Sequence, residues 1–264
     1  MNKTFYYGFE NNNKNVSNKY YQLHSHDEYE IYMFFEGDSK YVVEENSYSL
    51  KQGDVVIIRK HELHRVYHNN PHAYHRLVLM VSPEFFIENN CPEYETAFLE
   101  NSKDKGNKID AKIVRSSGLF DAIMRFKKYS DEFKSPESPI AKSTMVEILY
   151  IINSISSFSE GDEQRSVIKD IISFLNENFT EDISLDDLSD KFFISKYYLC
   201  RAFKKSTGLT VQNYIKQKRQ MKVRELYSQG MTLTQASAKA GFRDYSSFYR
   251  NYKKDNDKSP KDGI

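Results

Sequence analysis

One local pattern occurs twice in the last third of the chain. Ser184-Leu185-Asp186-Asp187 and Thr232-Leu233-Thr234-Gln235 each set a hydroxyl three positions ahead of a side chain that can reach back, the mark of a helix start closed by a capping box. After the first, Leu185 and Leu188 make a short buried face and the chain turns at Phe192-Phe193-Ile194. Ser195 then caps a second helix, KYYLCRAFKKSTG, with Leu199, Ala202 and Phe203 spaced to pack inward and Gly208 suited to the left-handed turn that follows. After the second, Leu233, Ala236 and Ala240 face inward, Gly241-Phe242 turns, Asp244 caps, and Phe248 and Tyr252 repeat the spacing of Leu199 and Phe203. The outer faces hold Lys196, Tyr197, Cys200, Arg201 and Lys204 in one unit and Tyr245, Ser246, Tyr249 and Arg250 in the other. A short helix, a tight turn and a polar-faced helix are what lays a reading helix in a major groove. Between the units, residues 211–228 read as one helix carrying Lys216, Lys218, Arg219, Lys222 and Arg224. At about 1.5 Å per residue it spans roughly 27 Å, comparable to the ~34 Å turn of DNA that separates two reading helices.

Charge supports a polyanionic partner. The 264 residues are nearly neutral at +1, yet residues 191–264 hold 17 basic and 5 acidic side chains, 17 − 5 = +12. Residues 161–190 hold 2 and 9, and residues 1–160 hold 19 and 23. Lysine and arginine that neutralise phosphates release condensed counterions, so a basic end favours nucleic acid. All seven histidines lie between residues 24 and 75, which points to two domains with different tasks. Cys91 and Cys200 are far apart and lack metal-ligand spacing, so they read as reduced thiols. No stretch reaches the roughly 18 apolar residues of a membrane span, and MNKTFYYGFENNNK lacks a signal-peptide core, so the expected location is the cytoplasm, with no membrane partner.

From Tyr20 to Val81 the chain reads as short strands, LHSH, YEIYMFFEG, SKYVVEENSYSL, GDVVIIRK, HRVYH and HRLVLMV, forming a small antiparallel barrel or sandwich. Ser82-Pro83 and Asn89-Asn90-Cys91-Pro92 break that pattern. Helices follow over 117–133, with Leu119, Ile123, Phe126 and Phe133 near one face, and over 140–158, with Met145, Ile148, Leu149, Ile152 and Ile155 at helical spacing. These faces either cover the barrel or pack against a second copy. Ser156 to Gln164 is polar and reads as the linker. The expected domains are residues 1–158, for sensing and dimerisation, and 165–264, for DNA binding, the latter opening on a core-facing helix over 165–179. The fold class is α+β: an antiparallel β-domain with a helical segment, then an all-α domain.

The span from Val167 to Pro260 resembles the DNA-binding domain of the AraC/XylS family of bacterial regulators. The residues that carry the resemblance are ISLDDLSDKFFISKYYLCRAFKKSTGLTVQNYIKQKRQMKVRELY and AGFRDYSSFYRNYKKDNDKSP, with Gly241-Phe242-Arg243-Asp244, Phe248, Arg250, Lys253 and Ser259-Pro260 at the family's positions. Ser189 and Ser237 stand where the family has a small alanine, and Asp257 where it has glycine. The resemblance implies base-edge contacts from Tyr197, Cys200, Arg201, Tyr245, Ser246, Tyr249 and Arg250. Arg201 can donate two bonds to guanine N7 and O6, worth ~1–3 kcal/mol of discrimination. Lys196, Lys204, Lys205, Lys253 and Lys254 suit backbone phosphates.

In the amino-terminal half, His24-Ser25-His26, Glu30 and Gly37 match the first motif of the cupin barrel, His-x-His-x3-Glu-x6-Gly, in full. The second, Gly-x5-Pro-x-Gly-x2-His, is met at Gly53 and His64 but has Arg59 and His61 in place of its proline and glycine. In metal-using cupins the matching side chains, here His24, His26, Glu30 and His64, bind a divalent transition metal, and three imidazoles with a carboxylate suit iron, manganese, nickel or zinc. Sensor cupins joined to AraC-type domains use the barrel to hold a small effector, so a pocket formed by His24, His26, Glu30, His64 and the same-face Tyr32 and Phe34 is the expectation, with no metal required. Aromatic walls with a few polar groups suit a sugar or another small polar ligand. His61, His68, His72 and His75 have no site spacing, and most of them read as solvated loop or strand residues.

The expectation is a non-enzymatic, sequence-specific regulator that binds double-stranded DNA and answers a small effector, acting as a homodimer and, by resemblance, with RNA polymerase. The alternative is a metal-dependent cupin enzyme fused to a DNA-binding domain.

Overall fold

A computed structural model describes residues 5–12, 23–99, 106–133, 135–136, 138–155, 167–256 and 259–260. The chain divides into two compact units, Met1–Gln164 and Arg165–Ile264. The expected linker at 156–164, the Asp257 position and the side chain of His72 lie outside what is described.

The first unit is built on an antiparallel sheet. Its strands are β1 (Phe5–Asn12), β2 (Tyr29–Val43), β3 (Asn46–Ser49), β4 (Val55–Ile58), β5 (His64–Val81) and β6 (Lys108–Ile109). Their hydrogen-bonded order is β1-β5-β2-β4-β6, with β3 on β2 beside the path. Among the described residues no pairing closes that path into a barrel. β2 and β5 are each one long strand where the sequence reads as two, because the Gly37 and Asn69–Pro71 segments are absorbed inside strands. The cost appears as register shifts between Phe34 and Ser39. An irregularity of this kind changes which parity faces inward. Glu30, Tyr32 and Phe34 point to the inner face before it, and Ser39, Tyr41 and Val43 are the buried set after it. Tyr32 and Phe34 share one apolar cluster with Tyr41, Val43, Val66 and Tyr74, so the inner faces of the two halves of β2 and β5 converge.

The outer face is covered by helices. Ile31, Met33, Val55, Ile57, Leu77 and Leu79 pack with residues of α1 (Pro83–Glu88), a 3-10 helix (Pro92–Phe98), α3 (Leu119–Glu132) and α4 (Pro139–Ser154), with α2 (Ala111–Ser116) leading into α3. Pro83 and Pro92 begin helices here rather than break them, since proline at the first helical position has no amide to leave unpaired. The apolar stripes of α3 and α4 are thus used on the sheet. Phe133, expected on the α3 stripe, is 55% exposed because it caps the helix end instead.

The second unit is helical: α5 (Val167–Asn178), α6 (Leu185–Lys191), α7 (Lys196–Thr207), α8 (Val211–Ser228), α9 (Leu233–Lys239) and α10 (Tyr245–Asn256). Ser184 and Thr232 both form complete capping boxes, Ser195 caps α7, and Gly208 closes α7 in a left-handed turn at φ 82°. Leu188, Leu199 and Phe203 are buried in the first helix-turn-helix. Leu233, Ala236, Ala240, Phe248 and Tyr252 pack on Val223 and Leu226 of α8 in the second. The serines in place of family alanines cost little, because Ser189 bonds the Ile194 carbonyl across the turn at 2.5 Å and Ser237 bonds that of Thr234 at 3.0 Å.

Candidate functional site

In the first unit the converging faces border a half-open cavity of about 280 Å3 lined by Gly8, His24, His26, Glu30, Tyr32, Tyr41, Val66, Tyr74, Arg76, Val78 and Met80. Its polar centre is Glu30. This carboxylate lies on β2 and is buried, accepting from Tyr41 Oη at 2.8 Å and lying 3.2 Å from His26 Nε2 and 3.5 Å from His64 Nε2. Burial alone would raise the Glu30 pKa, but the bonds and charge of the two histidines outweigh it and hold the carboxyl well below its usual range. Burial likewise works to lower His64, while Glu30 raises it past the ordinary imidazole value. Backbone bonds orient the rings: His64 Nδ1 lies 2.8 Å from the Glu62 carbonyl and His26 Nδ1 2.9 Å from that of Glu28. His24 and His64 sit on paired backbone, each amide donating to the other's carbonyl at 3.1 and 2.9 Å.

Of the residues expected in the pocket, His24, His26, Glu30 and Tyr32 line it. His64 stands behind it, fully buried against Glu30, and Phe34 lies in the same inner cluster without reaching the cavity wall. Tyr41, Tyr74 and Arg76 are lining residues that the sequence reading missed. Tyr74, Arg76, Val78 and Met80 alternate on one face of β5, a period-2 signal visible in the sequence once the strand is read as continuous. Tyr41 carries no such signal, since the register shift changes its parity. Tyr32 and Tyr74 join hydroxyls at 2.8 Å, and burial, the largest influence, raises the Tyr32 and Tyr41 hydroxyls well above the usual phenol value. Of the four histidines without site spacing, His68 is buried rather than solvated, with Nδ1 2.8 Å from Ser39 Oγ and its ring 4.3 Å from that of Tyr74. His61 and His75 pair with Asp27 at 3.4 Å and Glu36 at 3.1 Å.

The donor set admits a metal only in part. Ligand atoms of His24, His26 and His64 lie within 4.8 Å of one another, and His64 Nε2 is buried without a hydrogen bond of ordinary geometry. Glu30, the fourth expected ligand, already engages Tyr41 with Oε1 and faces both histidines with Oε2. Three imidazoles therefore suit a divalent transition metal in kind, with Glu30 outside that closest set but turning Oε2 toward two of them.

In the second unit α7 and α10 present the faces expected to read DNA. Lys196, Tyr197, Cys200, Arg201, Lys204 and Lys205 are all exposed on α7, Tyr197 at 74%. Lys196 also pairs with Asp186, so a phosphate there would compete with an internal partner. On α10 Ser246, Arg250 and Lys253 are exposed, whereas Tyr245 and Tyr249 are half-buried, their rings 6.2 Å apart and Tyr245 also 6.0 Å from Phe248. The helix is capped by Asp244, which accepts from the Ser247 amide at 2.7 Å. Between α8 and α10 lies a further cavity of about 430 Å3 whose lining includes Lys216, Arg219, Arg243 and Lys254 and, among the described residues, no carboxylate.

Comparison with known proteins matches two separate stretches of the chain. Residues 8–99 match the AraC-like ligand binding domain, and residues 188–262 match a helix-turn-helix domain. The HTH-type transcriptional activator RhaS of Yersinia pestis (strain Pestoides F) is 23% identical over 241 residues, covering 90% of this chain and 87% of that protein. RhaS of Citrobacter koseri is 24% identical over 245 residues, covering 90% and 86%. Among solved structures, ToxT from Vibrio cholerae aligns over 98% of this chain and 97% of its own at 14% identity, with a TM-score of 0.38.

Proposed function

The chain belongs to the AraC/XylS family of DNA-binding regulators, and from that premise we propose that it is a non-enzymatic, effector-gated transcription factor whose first unit holds a small polar molecule in the Glu30 cavity. The observation that carries this reading is that one chain has both a half-open cavity with charged and aromatic walls and two helix-turn-helix units with exposed polar helices. A cavity of about 280 Å3 matches a molecule the size of a sugar, whose hydroxyls would meet His24, Tyr74 and Arg76 while its apolar face lies on Val66, Val78 and Met80. Binding there switches DNA affinity only if the effector prefers one arrangement of the protein over another.

Arg201 is the residue assigned to a base edge, with Tyr197, Cys200, Ser246 and Arg250 beside it; Tyr245 and Tyr249 are half-buried and contribute an edge rather than a whole face. Lys204, Lys205, Lys253 and Lys254 are assigned to phosphates. The reading requires no metal; should a divalent ion be held by His24, His26 and His64, it would order the cavity wall. A homodimer would use the outward sides of α3 and α4, where Met124, Ile140 and Tyr150 are exposed. Contact with RNA polymerase and a cytoplasmic location follow from the family; among the described residues no helix is long and apolar enough to cross a membrane.

The test is selection of bound duplexes from a random pool, with and without candidate sugars, repeated on Arg201→Ala. The expected result is a site of two segments about one helical turn apart, a change in affinity with one sugar, and loss of preference at one base with the variant. Sequence-indifferent binding would overturn specific regulation.

A further inference from the structure

The segment after α5 is gripped from two sides. Arg219, in the middle of α8, donates from Nε to the Phe179 carbonyl and from Nη2 to the Glu181 carbonyl, both at 2.7 Å. Those carbonyls lie at the negative end of α5, where a guanidinium is held by charge as well as by hydrogen bonds. Tyr214, one turn and a half earlier on α8, donates to Asn176 Oδ1 of α5 at 2.8 Å. Thr180, between the two gripped carbonyls, faces the turn of the second helix-turn-helix. Gly241 has φ 89°, and a Cβ there would come within 2.8 Å of the Thr180 Cα and carbonyl carbon and closer still to its oxygen. Backbone therefore lies against backbone, and the approach is open only to glycine.

α5 packs on α7, the reading helix of the first helix-turn-helix, while Gly241 opens the turn that leads to α10, the reading helix of the second. Residues 179–181 are thus a joint between the two helix-turn-helices, made by main-chain carbonyls, the Arg219 side chain and the close approach at Gly241. The geometry points to a spacing function for this joint: Arg219 and Gly241 are positioning residues that fix the separation of α7 and α10, and so the distance between the two DNA segments the protein accepts. Arg219 looks in sequence like one more basic residue on a DNA-binding helix, but its Nε and Nη2 are committed to the main-chain carbonyls of Phe179 and Glu181. A chain held only by α8 would tolerate small changes in that separation; one locked at 179–181 would not.

The inference rests on the two-segment reading above and is tested on the full chain with the selected duplex and with versions carrying one base pair more or less between the segments. One base pair moves the second segment by about 3.4 Å and turns it by about 35°. The wild type is expected to lose about tenfold or more in affinity for the altered spacings, whereas Arg219→Met, which keeps the aliphatic stem, loses affinity for the native spacing and discriminates by less than about threefold. Gly241→Ala is expected to behave the same way; where it fails to fold, Arg219→Met alone decides, its fold checked by circular dichroism. Uniform weakening at all spacings with the wild-type discrimination retained would overturn the spacing role and leave a merely structural one. A wild type that selects no two-segment site would overturn the DNA reading itself, and the spacing function with it.

Discussion

Phe193 occupies the turn of the first helix-turn-helix with a left-handed backbone at φ 53° and its side chain 94% exposed. A left-handed conformation costs an L-residue roughly 1–2 kcal/mol, less for asparagine, whose side chain bonds locally. An exposed ring returns little of that cost. Phe193→Asn is therefore expected to stabilise the protein by about 0.5–1 kcal/mol. Urea titration checks it: the midpoint should rise at unchanged slope, and a lower midpoint would show that the ring has a packing role. The cavity shows what single residues reveal in sequence and what they hide. His24, His26 and Glu30 stand out by motif spacing alone: the expected strand LHSH is reduced to an isolated bridge at His24, and His26 precedes β2. Tyr41 stays hidden because parity fails across the Phe34–Ser39 irregularity, and His68 because a buried histidine bonded to a serine has no local pattern.

At the scale of elements, the helices of the second unit follow from their ends. Ser195 Oγ accepts the Tyr198 amide at 3.2 Å and Thr210 Oγ1 that of Asn213 at 3.3 Å, which starts α7 and α8 where the sequence predicts. Ser195→Ala removes an acceptor from the start of the reading helix and is expected to cost about 1 kcal/mol of stability, with Ser195→Asp retaining most of it. Thermal unfolding of the two variants side by side makes the comparison, and equal values for both would deny the cap its role. Helical ends are readable because the signal lies within four residues. Strand limits are not, because pairing partners are remote: β1 escaped notice, and β2 and β5 were split at residues that elsewhere mark turns. Two short helices were missed for a related reason, since Pro83 and Pro92 serve equally as breakers or as first residues.

On the scale of the whole molecule, the division of charge governs behaviour more than the net value does. The +12 of residues 191–264 belongs to the unit that carries α7 to α10, while the formal total is +1. DNA affinity should accordingly depend steeply on salt: about six phosphate contacts would lose on the order of 10³ in affinity between about 50 and 200 mM. A filter-binding series in potassium chloride measures the slope. A nearly flat dependence would remove the exposed lysines of α7 and α10 from the phosphate-contacting role. Effector binding in the Glu30 cavity should show no such dependence, because the ion pairs there are buried.

The pairing of Phe5 with Val81 joins residues 76 apart, 81 − 5, whereas the helix-turn-helix units pack elements that follow one another in sequence. Non-local pairing slows folding and local packing speeds it. During synthesis β1 must therefore wait, unpaired, until the far end of β5 has left the ribosome, and the amino-terminal unit is complete well after its first strand is made. The helix-turn-helix unit, whose packing partners are neighbours in sequence, needs no such wait once its own residues have emerged.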